Sequence, residues 1–330
     1  MTRGRGWWCL GLGAAAAVVL GATVAPAVTI FGRIQQFAVP TPNAFPHMPV
    51  ADAAGAIWFT QADGNKIGRF DPATRAFTEY PIPTPASRPV GITVGPDGAI
   101  WFVEMQGNKI GRLDPRTGQI AEYDLPSPGG RPNTAAFDGS GILWFTLMGG
   151  NKIGRLDPRT GRVTEYPVPT PDSSPYGIGI DSKGNVWFCE FTGHKLGRLD
   201  ARTGGIDEFA PPTPRSAPRR LAIDARDRIW FTAYRGHKVV RFDPRSQNFT
   251  EWTAPSAPKS GPYAIAVDRE GFVFFSEFDA NTLVEFNPQT ERFRTFPLPA
   301  LAAGVRNLTI DPRGHPWFAA SHANTLGKLE

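Results

Sequence analysis

Residues 91–126 read GITVGPDGAIWFVEMQGNKIGRLDPRTGQIAEYDLP, and the way turn residues cut this stretch decides the fold. Gly95-Pro96-Asp97-Gly98 and Gly107-Asn108 separate three short apolar runs, at 91–94 (strand A), 99–102 (strand B) and 109–113 (strand C). Asp114-Pro115-Arg116-Thr117-Gly118 then leads to a fourth run, strand D, at 120–125. There Pro suits the second position of a type I turn and Gly supplies positive φ. No run is long enough for an amphipathic helix, and β-branched and aromatic residues fill the runs, so the unit reads as four short strands.

The unit recurs along the chain, marked by an aromatic pair beginning at Trp58, Trp101, Trp144, Trp187, Trp230, Phe274 and Trp317, spaced 43 residues apart with a single interval of 44. Seven four-stranded repeats of this length predict an all-β, single-domain, seven-bladed β-propeller. A helical repeat of similar period is the rival, but Pro stands at several places in each unit and excludes it. The chain ends after a strand C at 325–329 and carries a lone strand D at 33–39. Pairing of these two is expected to close the ring and remove the open sheet edges.

Composition agrees with this reading. Gly 36 and Pro 33 among 330 residues disfavour long helices, while 41% hydrophobic residues suffice for a core. Residues 1–27 read as an export signal: Arg3 and Arg5 precede an apolar run from Trp7 to Val24, and Ala25-Pro26-Ala27 fits a cleavage site. The expected mature protein, 28–330, is extracytoplasmic, either periplasmic or secreted, and an uncleaved N-terminal anchor is the other reading. The net charge of +5 is spread evenly along the chain, which favours neither nucleic acid nor a further membrane contact. A monomer is expected. With two Cys, one inside the signal, Cys189 is left as a buried small hydrophobe rather than half of a disulfide.

Recurring residues in such a repeat are packing, so function is sought where the blades differ. Eleven residues before the marker stand His47, Val90, Asn133, Tyr176, Arg219, Tyr263 and Arg306; three after it stand Gln61, Glu104, Leu147, Glu190, Ala233, Glu277 and Ala320. Both positions are expected on one rim of the central channel, forming a variable polar surface for a small-molecule or peptide ligand. Asn133, Tyr176, Arg219, Tyr263 and Arg306 are the candidate ligand-binding residues. Glu104, Glu190 and Glu277 are candidate ligands for a divalent ion, Mg²⁺ or Ca²⁺. Alternation of Glu190, Arg219, Glu277 and Arg306 also fits simple charge neutralisation around the channel. His47 and His322, in blades that become neighbours on closure, are the candidate catalytic residues and with Glu104 would form a metal or acid–base cluster. His194 and His237 replace the Asn of the NKIGR turn and read as turn residues, and His315 lies in a turn on the opposite face.

The repeated WF(T/V)E, NKIGR and EYP(I/V)PTP motifs over residues 37–330 resemble those of the streptogramin B lyase (virginiamycin B lyase) family. The resemblance implies a seven-bladed propeller that opens the ester of a cyclic depsipeptide by Mg²⁺-assisted elimination. It also implies functional positions: a His opening the penultimate repeat, a Glu-Pro-His triplet opening the last, and a Glu after the final aromatic pair. Tyr263, Gly304-Val305-Arg306 and Ser321 stand there instead. The expectation is therefore a family propeller that binds a ligand with these catalytic positions replaced. The alternatives are an active lyase and, by analogy of fold alone, a lactonase-like enzyme.

Overall fold

A computed structural model describes residues 28–29 and 34–330; the export signal expected at residues 1–27 lies outside them. Each repeat forms a four-stranded antiparallel sheet with its strands in sequence order, as in blade two: Pro89–Val94, Ile100–Glu104, Lys109–Leu113 and Ile120–Asp124. The strands A pack against one another in a ring, the last against the first, so they line the centre. Blade seven holds Val305–Ile310, Pro316–Ala320 and Thr325–Leu329, and its fourth strand is Ile34–Ala38, paired in the register Ile34↔Leu329 to Ala38↔Thr325. This is the expected closure. The two-residue strand Val28–Thr29 adds a feature not foreseen, pairing in parallel with Arg292–Pro297, strand D of blade six.

The recurring residues have local explanations. The marker Trp is buried in six blades. Its indole N–H donates to an Asp of the preceding A–B turn, as from Trp144 to Asp138 Oδ2 (2.8 Å) and from Trp230 to Asp224 Oδ2 (2.9 Å). In blade two Gly95 takes that Asp position, and the Trp101 indole is left without a partner. The Gly of NKIGR makes room for the second marker aromatic, since a Cβ at Gly111 would lie 2.1 Å from the Phe102 ring. The Asn of that motif has left-handed backbone, φ 51 at Asn65, which Asn tolerates, and ties the next inter-blade connection through Nδ2 to Thr84 O and through Oδ1 from Ser87 N. His194 and His237 occupy the same turn with φ 59 and 53, as expected. Cys189 is free and fully buried, and that burial pushes its thiol up, away from thiolate.

A candidate ligand site at the channel mouth

Strand A begins with Pro in six blades, and a bulge follows at its second and third residues in those blades, as between Pro89 and Ile92. The bulge presents two successive positions toward the channel. The first is the variable position expected at the rim. The second is Gly91 or Gly177 in blades two and four, where a Cβ would come within 2.9 Å of the next blade's backbone. In blade five it is Arg220, only 4% exposed.

On the side of blades four to seven, cationic and aromatic groups converge. The Tyr176 and Tyr263 hydroxyls meet at 2.6 Å, and Arg219 Nη2 donates to Tyr263 Oη at 2.9 Å. The Arg219 guanidinium lies 3.7 Å from the Tyr263 ring centre and 4.8 Å from those of Phe191 and Tyr234. Arg306 stands 4.8 Å from Phe278 and 5.3 Å from Phe45. Such cation–π contacts hold long side chains in place without a carboxylate partner. Arg306 Nη2 is 3.2 Å from His322 Nε2. A guanidinium only donates, so Nε2 accepts and the ring proton sits on Nδ1, directed to Ala302 O at 3.1 Å.

His47 and His322 do come to this mouth together, on either side of Phe45, with ring centres 6.3 and 5.8 Å from it. His47 is 6% exposed and its Nδ1 has no partner. Burial first, then the Arg220 and Arg306 guanidiniums, hold its pKa well below the usual 6.5. Asn133 is buried with its Oδ1 accepting from Thr134 Oγ1 at 3.0 Å.

The position at the end of strand B is different from the rim position expected. Glu104 pairs across the ladder with Pro89, one residue before the rim residue Val90, and alternation along the strand turns its side chain away from the channel. Glu104, Glu190 and Glu277 are fully buried within blades two, four and six. Gln61, at the same place in blade one, donates from Nε2 to the strand D carboxylate Glu79 at 2.8 Å. Burial and the neighbouring Glu122 carboxylate push Glu104 up to about 7, and burial and Glu208 push Glu190 up to about 8. Glu277 instead accepts from Ser256 N (2.8 Å), Ser256 Oγ (2.5 Å) and Thr282 Oγ1 (2.7 Å). It replaces the strand D Glu of other blades, such as Glu251, which accepts from Thr213 and Lys238. The structure thus does not bring the three glutamates together or join Glu104 to His47 and His322. Among the described residues no three His, Cys, Asp or Glu side chains gather into a metal-sized group.

Sequence reasoning missed Phe45, Phe191, Tyr234, Phe278 and Arg220. The first marker column that would have shown three of them lies four residues after the marker: Ala62, Met105, Met148, Phe191, Tyr234, Phe278, Ser321, aromatic only in blades four to six. Arg220 stands out one residue after the rim column, among Met48, Gly91, Thr134, Gly177, Ala264 and Asn307. The roomier surface depressions, of about 590 and 800 Å³, lie among A–B turns on the opposite face, lined by residues such as Asp52 and Asp268 or Asp138 and Asp181. Those aspartates include the Trp-bonding ones, which marks that face as scaffold.

Residues 20–186 match the model of the virginiamycin B lyase family. No curated protein sequence matches the chain. Among solved structures, the chain is similar to selenomethionine-substituted virginiamycin B lyase from Staphylococcus aureus, with 31% identity, TM-score 0.84, and coverage of 90% of this chain and 98% of that one. A streptogramin B lyase structure aligns at 29% identity and TM-score 0.85, over 90% and 97% of the two chains. A catalytically inactive variant of the S. aureus lyase with quinupristin aligns at 30% identity and TM-score 0.84, over 90% and 98%. The repeat motifs, the closed seven-bladed ring, the family match and these similarities agree, and the chain belongs to the virginiamycin B lyase family.

Proposed function

We propose that this chain is an exported family propeller that binds a small molecule or peptide at the channel mouth, with the family's lyase machinery replaced. One observation carries the reading: the mouth is built from Arg219 and Arg306 clamped among Tyr176, Tyr263, Phe191, Tyr234, Phe278 and Phe45. Guanidinium N–H groups donate to carbonyl oxygens and the rings offer flat apolar faces, a combination suited to a peptide-like ligand bearing carbonyls and aromatic groups.

Elimination of the ester would need a base able to take the α-proton and a cation to polarise the carbonyl. Arg306 cannot be that base because it stays protonated, and Tyr263 offers a hydroxyl already engaged by Tyr176 and Arg219. A divalent ion held by Glu104, Glu190 and Glu277 together would need them at one point, whereas each is buried inside its own blade and turned from the channel. His47 is neutral and His322 accepts from Arg306, so either imidazole would have to act without a carboxylate orienting it.

The test is to titrate the secreted protein with a quinupristin-type cyclic depsipeptide and follow binding by calorimetry and ring opening by chromatography. Chromatography is needed because elimination leaves the mass unchanged. Binding without product, weakened at least tenfold in Arg219→Ala and Arg306→Ala, supports the reading. Turnover abolished by chelation, and by Glu104→Ala or His47→Ala, would establish the lyase instead. Unchanged affinity in both arginine variants would show that the mouth is the wrong face.

A further inference from the structure

Arg220 is the most deeply buried cation of the channel, and its surroundings do not neutralise it. From blade five it reaches across to blade three, where Nη1 donates to Thr134 Oγ1, and its guanidinium stands 4.6 Å from the Tyr176 ring centre. Nε and Nη2 have no partner. The ionisable groups acting most strongly on it are Tyr176, Tyr263, Arg219 and Cys189, with no carboxylate among them. Around it Arg219 Nε, Arg306 Nε and His47 Nδ1 are also without partners. Among the described residues none of the three arginines forms an ion pair with Asp or Glu, although ion pairs are common elsewhere on the blades. A buried, unpaired guanidinium is strongly disfavoured unless something supplies the opposite charge.

The two free groups indicate what that is. Nε–H and Nη2–H lie side by side on one edge of the guanidinium and point the same way, the fork that matches two oxygens of one carboxylate or phosphate. We propose that the channel is an oxyanion site, in which one carboxylate- or phosphate-class group sits on the Nε/Nη2 edge of Arg220 beside Arg306 and His47. The group comes either from a free ion or from the acidic end of a ligand whose body rests on the aromatic mouth. The site does not depend on the mouth binding a depsipeptide, because small ions alone test it.

The experiment is calorimetric titration of the full secreted chain with inorganic phosphate and with acetate, against chloride at matched ionic strength. Saturable binding of one oxyanion per chain is expected, weakened at least tenfold in Arg220→Met, which keeps the stem but loses the fork. Arg220→Lys, with the charge and no fork, should recover less than half of the lost response. Phosphate and acetate binding alike would indicate a free oxyanion, and acetate alone the carboxylate of a larger ligand. No saturable response, a response equal to that of chloride, or wild-type binding by Arg220→Met would overturn the proposal. Should Arg220→Met fail to fold, crystals of the unaltered protein soaked in selenate decide it: an anomalous peak within hydrogen-bond distance of Nε and Nη2 supports the site, and its absence overturns it. Loss of depsipeptide binding in Phe191→Ala, whose ring packs on Arg219 at the mouth, with phosphate binding retained would separate this site from the mouth.

Discussion

Replacing Glu104 by Gln should make the protein more stable at mildly alkaline pH and leave it almost unchanged in acid. Burial and the Glu122 carboxylate hold the Glu104 carboxyl at about 7 rather than the ordinary 4.5. Between those two values the folded chain keeps a proton that the unfolded chain has already released, so stability falls as pH rises through this window. Above about 7 the whole cost stands, about 3 kcal/mol. Glu104→Gln removes the charge and can donate from Nε2 to Glu122 as Gln61 does to Glu79 in blade one. At pH 8 the variant should therefore gain about 3 kcal/mol, or about 5 °C in Tm for a chain of this size, and at pH 4 less than about 0.5 kcal/mol. Urea unfolding at the two pH values measures this directly. A variant destabilised at pH 8, or stabilised equally at both, would refute the account and return Glu104 to the list of charged functional groups.

Two further outcomes follow from the same packing. Gly111→Ala should cost about 2 kcal/mol, because its Cβ would lie 2.1 Å from Phe102; an unchanged denaturation midpoint would mean the ring moves aside freely. Burial opposes ionisation of Tyr176, but Arg220, Arg219 and the Tyr263 hydroxyl outweigh it and bring the Tyr176 phenol to about 8. An ultraviolet phenolate titration from pH 7 to 9 should show one tyrosine ionising in the unaltered protein and none in Tyr176→Phe; identical curves would place the ionising group elsewhere.

The blade was legible in the sequence because each of its turns carries a residue with its own backbone requirement, and because Trp, Asp, Asn and Gly recur at fixed offsets for reasons of packing and hydrogen bonding. The channel was legible at one column. Tyr176, Arg219, Tyr263 and Arg306 do converge, and His47 joins His322 across the closure. The end of strand B misled because a bulge early in strand A lets successive residues share the channel, while the ladder partner of its Pro turns outward. Glu104, Glu190 and Glu277 could be told from rim residues only once Glu122, Glu208 and Ser256 were seen beside them. Arg220 differs from its counterparts in the other blades, but its bond to Thr134 in blade three crosses the channel, and spacing along one repeat does not report such a contact.

The strand that completes blade seven has a bearing on how the protein acquires its form. Ile34–Ala38 is synthesised long before its partner Thr325–Leu329. Blades one to six can assemble from local hairpins in the order of synthesis, but the ring cannot lock until Thr325–Leu329 is made. Closure of the ring is therefore a late step in folding, whatever the order in which the other blades form.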